Sequence, residues 1–168
     1  MSEFNHHVYL ISYEDSLDGP IKIGYSHHPP TRLKQLQTGN PRRLTIFGNL
    51  AFKDELAARC VEKIILYYFN DNGLSINGEW YNIGVNPVLE ILNFFPDNKQ
   101  KLFEPTEIKE GKIINFVNLI KYAWDKEVIN EDEYDHLRDI FDYVDEDNRD
   151  YKFIDFIEET KKNRGESE

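Results

Sequence analysis

Apolar residues recur along this chain with two different periods. His7-Val8-Tyr9-Leu10-Ile11-Ser12-Tyr13 is β-branched and aromatic and predicts a strand. Glu14 to Pro20 is rich in turn formers, and Ile21-Lys22-Ile23-Gly24-Tyr25 predicts a second, shorter strand, so the two form a hairpin. Pro29 and Pro30 suit the first turn of a helix. Leu33 and Leu36 give that helix an apolar side, while Arg32 and Gln35 lie elsewhere on it. Thr38-Gly39-Asn40-Pro41 stops it, with Gly39 suited to a left-handed cap. Leu44 to Phe52 predicts a third strand.

From Asp54 to Phe69 the period lengthens. Leu56, Cys60, Ile64 and Tyr67 recur at helical spacing, and so do Ala57, Val61, Ile65 and Tyr68. Asn70 to Gly78 reads as a loop, Glu79 to Asn82 as a short segment, and Asn86-Pro87 opens a helix that runs to Phe95. Pro96 to Thr106 reads as a linker between a domain at 1–95 and a helical domain at 107–168. Three apolar stripes predict an antiparallel bundle there. The first is Ile113, Phe116, Val117, Ile120 and Trp124; the second Tyr134, Leu137, Phe141 and Val144; the third Phe153, Ile154 and Ile157.

Composition narrows the class. Apolar residues make up 40% of the 168, enough for a core and against wholesale disorder. No apolar run approaches the roughly 18 residues of a spanning helix, and the polar start of the chain is unlike a signal peptide. A single cysteine, Cys60, allows no internal disulfide and fits a reducing compartment. The expectation is a cytoplasmic protein with no membrane partner, in a bacterial or phage-infected cell.

Charge changes the picture once it is divided. The net charge of -11 argues against a nucleic-acid partner, but residues 96–168 carry -9 of it. Residues 20–63 carry a net of +5, through Lys22, Arg32, Lys34, Arg42, Arg43, Lys53, Arg59 and Lys63. A basic segment therefore precedes an acidic one, and averaging hides it.

Against this background the hairpin, helix, strand and helix carry a set of polar residues in order. They are Val8-Tyr9-Leu10-Ile11, then Lys22-Ile23-Gly24, then Arg32-Leu33-Lys34-Gln35-Leu36-Gln37-Thr38-Gly39-Asn40-Pro41. Val61-Glu62 with Phe69 follows, then Gly78-Glu79-Trp80-Tyr81. In these residues the chain, over about 7–95, resembles the GIY-YIG nuclease superfamily. It is most similar to the branch named after an open reading frame of phage T5, whose second motif reads K-I-G. The resemblance implies an α+β fold, a small antiparallel sheet with flanking helices, here followed by the acidic helical bundle. It also implies divalent-metal-dependent hydrolysis of a DNA phosphodiester.

Residue by residue, the resemblance makes Glu62 the ligand of a single Mg²⁺ or Mn²⁺, with phosphate oxygens and waters completing the shell. Arg32 would donate a forked hydrogen bond to the scissile phosphate. Tyr9 would orient or deprotonate the attacking water. Lys22 stands where many relatives have tyrosine; it is a base if burial or nearby positive charge lowers its pKa, and otherwise an electrostatic contact to phosphate. Gly24 would let the backbone pass close to substrate. Arg42 and Arg43 are candidate substrate contacts, Asn82 a candidate for the late asparagine of relatives, and His27 a candidate phosphate contact. Where relatives of this branch carry a histidine one turn after the glutamate, this chain has Leu66.

Blander readings compete. Tyr9 suits an apolar core, and Lys22 an edge strand. Glu62 lies on a largely apolar helix and wants a partner, either a metal or a cation such as Arg32. Cys60 and Trp80 read as packing residues. Asp145-Glu146-Asp147-Asn148-Arg149-Asp150 fails the calcium-loop pattern, because Asp150 replaces the glycine and Phe156 the last glutamate. The acidic bundle supports a second functional class: a nonenzymatic protein of the same fold that binds nucleic acid or a basic protein partner, with the bundle as interaction, inhibitory or DNA-mimic element.

Overall fold

In the computed structural model, which describes residues 3–92, 116–142 and 150–155, the first apolar run forms β1 (His6–Tyr13). It pairs antiparallel with both β2 (Ile21–Ser26) and β3 (Leu44–Phe52). A strand central to a sheet covered on both faces has no solvent side, so Val8 to Ser12 are buried without a break. Alternate residues serve two cores. Val8 and Leu10 join Ile21, Ile23, Leu50 and Phe52 with the apolar stripe of α2 (Glu55–Asp71). Tyr9 and Ile11 join Leu44 and Ile46, against which α1 (Pro29–Gln37) lays Leu33 and Leu36.

Local signals fix the helix ends. The His28 ring accepts the Thr31 N–H at the start of α1, and Gly39 takes a φ of +81° just beyond its end. Asp54 accepts the Ala57 N–H at 2.9 Å and caps α2. The stretch expected as loop after α2 holds β4 (Ser75–Asn77), which pairs with β5 (Trp80–Tyr81). The latter adds only Tyr81 and Trp80 to β2, opposite Ile21 and Lys22. Helix α3 (Val85–Leu92) follows, with Pro87 in its first turn.

Beyond it, α4 (Phe116–Asp125) and α5 (Glu131–Asp142) share the core of α2 through Leu119, Ile120, Leu137, Ile140 and Phe141. Polar ties run along the same helix. Lys63 Nζ donates to Glu133 at 2.9 Å, His136 Nε2 lies 2.8 Å from Asp54 Oδ2, and the Tyr122 hydroxyl donates to Asp71.

One expectation is corrected. The stripe read as a third helix from Phe153 and Ile154 is instead β6 (Tyr151–Asp155), antiparallel to β3 over Gly48–Phe52. Tyr151 and Phe153 alternate with Lys152, which also fits a period of two, and the otherwise unpaired edge of β3 supplies the partner that decides between the readings. The sheet is six-stranded and antiparallel throughout, in the order β4-β5-β2-β1-β3-β6. With five helices among the described residues, the fold is α+β. The expected linker at 96–106, together with Ile113, Val144, Ile157 and the run at 145–149, lies outside the described residues. Among the described residues no helix is long and apolar enough to cross a membrane.

Candidate active site

Because β5 begins only at Trp80, the outer edge of β2 has no strand partner from Ile23 onward among the described residues. A backbone N–H left there needs an acceptor. The carboxylate of Glu62, half-buried on α2, faces the Tyr25 N–H and so lies near this open edge. From β1, Tyr9 reaches the same place. It sits directly opposite Gly24, and a Cβ at Gly24 would overlap the Tyr9 hydroxyl. The glycine of the second motif thus leaves room for the phenol to lie across β2.

The Tyr9 hydroxyl meets Arg32, which comes from the first turn of α1 and also donates to Gln35 Oε1 at 3.1 Å. Burial pushes the Tyr9 phenol above its ordinary value of 10.0, and the hydrogen-bonded Arg32 guanidinium pulls against it. Lys22 lies on the same face as Tyr9, opposite Ile11, and is only 6% exposed. Its ammonium is ion-paired with the carboxylate of Glu79. The Glu62 carboxyl is pushed up, first by burial and then by the Glu79 charge, while the Tyr25 N–H, Arg59 and Lys22 pull it down.

Tyr9, Lys22 and Arg32 therefore meet on the Gly24 face of β2, and Glu62 approaches the next residue, Tyr25, from α2 on the other face. Their neighbour Glu79 belongs to the fifth segment, Gly78-Glu79-Trp80-Tyr81, where the sequence alone gives it no role. Its place follows from the strand register: Glu79 precedes Trp80, the residue that pairs with Lys22.

Other candidates stand elsewhere. Arg42 Nη2 lies 2.8 Å from Asp15 Oδ1, with its guanidinium 3.7 Å from the Tyr13 ring centroid. Arg43 Nε lies 3.0 Å from Glu14 Oε2. The two arginines, their acids and Pro41 line a cavity of 490 Å³. Asn82 is exposed and uses its backbone N–H on the Leu74 carbonyl at 2.7 Å. His27 spends its ring on the Asn5 carbonyl and the Tyr25 hydroxyl, on the face of β2 opposite to Gly24. Leu66 packs against the core. Trp80 stacks on Tyr13 with ring centroids 5.9 Å apart.

A family profile for the T5orf172 domain matches residues 6–96, from the first residue of β1 through every site residue named so far. The chain belongs to the T5orf172 domain family. This membership points to a nuclease-like, DNA-related function. No curated protein and no solved structure matches the chain.

The branch of nucleases that this T5orf172 domain resembles uses a divalent cation, and the donors here can be tested against one. Among the described residues no three His, Cys, Asp or Glu side chains gather as a metal cluster. Cys60 is buried in the core, its thiol pushed up to about 11 by burial. The donors at the site are the carboxylate oxygens of Glu62 and Glu79. Glu62 is half-buried, has no cation at ion-pair distance among the described residues, and faces a second negative charge. Hard oxygen donors in that state fit Mg²⁺ or Mn²⁺, which take one or two carboxylates and keep waters.

Proposed function

We propose that this T5orf172 protein hydrolyses DNA phosphodiester bonds at the open edge of β2, through a single divalent-cation site. One observation carries the reading: four separate elements bring Tyr9, Lys22 and Arg32 to the Gly24 face of β2 and Glu62 to the adjacent Tyr25. Glu62 would hold the cation, which when bound stabilises charge on the leaving oxygen. Arg32, half-buried beside the Tyr9 hydroxyl, offers a planar fork to the scissile phosphate. Lys22 faces the carboxylate of Glu79 and serves as a cation toward phosphate, not as a base. Tyr9, a phenol protonated at neutral pH and pushed further up by burial, orients the attacking water through its hydroxyl.

The test is plasmid nicking by the full chain with Mg²⁺ or Mn²⁺. Glu62→Gln is expected to lower the rate by at least about 100-fold, the scale of losing one preorganised electrostatic partner. Nicking by Glu62→Gln at the wild-type rate would overturn the reading.

A second reading is favoured by one surface. Trp124 is 39% exposed in the last turn of α4. With Asp125, Glu127 and Glu131 it lines a cavity of 680 Å³ that also holds the Lys63–Glu133 ion pair. That surface suits a basic partner protein, held by charge and by cation–π contact. Absence of nicking by the wild-type chain with either ion would favour this binding role over hydrolysis.

A further inference from the structure

We propose that Glu79 is a second carboxylate of the cation site, and that Lys22 occupies it as a built-in cation until a divalent ion displaces it. The inference rests on the hydrolase reading and names a residue and an exchange that this reading does not contain.

Exposure shows which partner can move. Lys22 is 7% exposed at its side chain and held in β2, whereas the Glu79 side chain is 45% exposed and comes from the turn between β4 and β5. The ammonium is fixed, and the carboxylate at the mouth of the site can rotate away. The register that pairs Trp80 with Lys22 puts the preceding Glu79 beside the uncovered part of β2, and after burial its charge is what most raises the Glu62 carboxyl. The ion-paired Lys22 and Glu79 thus both act on the charge of Glu62, Glu79 raising its carboxyl and Lys22 lowering it.

Charge explains why an exchange is needed. Lys22 and Arg32 balance Glu62 and Glu79, so the four groups sum to zero. A Lys22 permanently bonded to Glu79 would have little left to offer a phosphate. When a divalent ion takes both carboxylates, the ammonium loses its partner beside the position that Arg32 marks for the anion. Substrate phosphate then replaces Glu79 as its counter-ion. The exchange makes Lys22 available only when the metal is present, so an unloaded site does not hold DNA as firmly as a loaded one.

The experiment is calorimetric titration of the full chain with Mn²⁺ alone, without DNA. Wild type is compared with Glu62→Gln, Glu79→Gln, Glu79→Asp and Lys22→Met. Glu79→Gln is expected to weaken Mn²⁺ binding by about tenfold or more, and Glu79→Asp, which keeps the charge, by less. Lys22→Met, which removes the competing cation at similar length, is expected to tighten binding. Thermal midpoints of the same samples identify any variant that has lost its fold, and the Asp and Met variants carry the test if the Gln variant has. Wild-type Mn²⁺ affinity in Glu79→Gln, or unchanged or weaker affinity in Lys22→Met, would overturn the inference. These failures differ from failure of the hydrolase reading. In that case the wild type would bind no Mn²⁺, or Glu62→Gln would bind it as the wild type does.

Discussion

On the β3 flank of the central strand the sheet is extended by a full five-residue strand. Strand β6 runs along Gly48–Phe52, and Tyr151 is buried between Phe52 and Phe141, with ring centroids 6.1 and 4.6 Å away. On the β2 flank the sheet is left unfinished. Strand β5 covers Ile21 and Lys22 alone, and the Tyr25 N–H faces the Glu62 carboxylate instead of a longer strand. One edge spends its backbone donors on another strand and gains apolar burial; the other keeps a donor for a side chain and gathers charged groups around it. A single sheet thus separates the work of holding the fold from the work of presenting chemistry.

The comparison can be broken at its stable side first. Tyr151→Ala removes a buried aromatic side chain and is expected to cost about 3–5 kcal/mol. The thermal midpoint would fall by on the order of 10 °C, while Mn²⁺ affinity of the folded protein stays at the wild-type value. A midpoint and a metal affinity that fall together would mean that the flanks are not independent.

A smaller effect is expected on the open side. Gly24→Ala puts a methyl group where the Tyr9 hydroxyl lies, a small-to-large change worth about 1–3 kcal/mol in urea denaturation. It also moves the phenol off Arg32, so nicking falls although no charged group has changed. In a Tyr9→Phe background, where the hydroxyl is gone, the same methyl should cost less. An equal cost in both backgrounds would place the clash elsewhere.

The smallest effect sharpens the contrast through pH. The folded state raises the Glu62 carboxyl above its ordinary 4.5, mainly by burial. As pH rises through 4.5 the unfolded chain loses this proton first, so the folded state loses stability from there until the folded carboxyl has also ionised. Below 4.5 both states are protonated and the penalty vanishes. Glu62→Gln is therefore expected to raise the thermal midpoint modestly at neutral pH and to leave it unchanged near pH 4. A lowered midpoint at neutral pH would mean that Glu62 stabilises the fold through its charge.

The sequence made the open flank more legible than the extended one. Strands β1 to β3 and helices α1 and α2 announce themselves through local periods and caps, and Tyr9, Lys22, Arg32 and Glu62 stand in recognisable order along them. Strand β6 is a five-residue run whose apolar residues suit either period, and only the distant edge of β3 decides between them. The role of Glu79 depends on the register that puts Trp80 opposite Lys22, and that pairing is not written in either segment. The basic stretch at 20–63 was visible as charge, but the partners of Arg42 and Arg43 come from the β1–β2 turn, as Asp15 and Glu14. That of Lys63 comes from α5, as Glu133. Formal charge counted along a chain does not reveal which cations are already matched.

The order of the strands along the chain has a consequence for synthesis. Every residue of the site, from Tyr9 to Glu79, leaves the ribosome before Tyr151 does. Elements β1, β2, α1, β3 and α2 contact one another over short sequence distances and can assemble early. Until β6 emerges, the edge of β3 is an unpaired strand able to join another nascent chain. Slowing translation between the codons for Phe52 and Tyr151 would lengthen that interval, and the yield of soluble protein would register it.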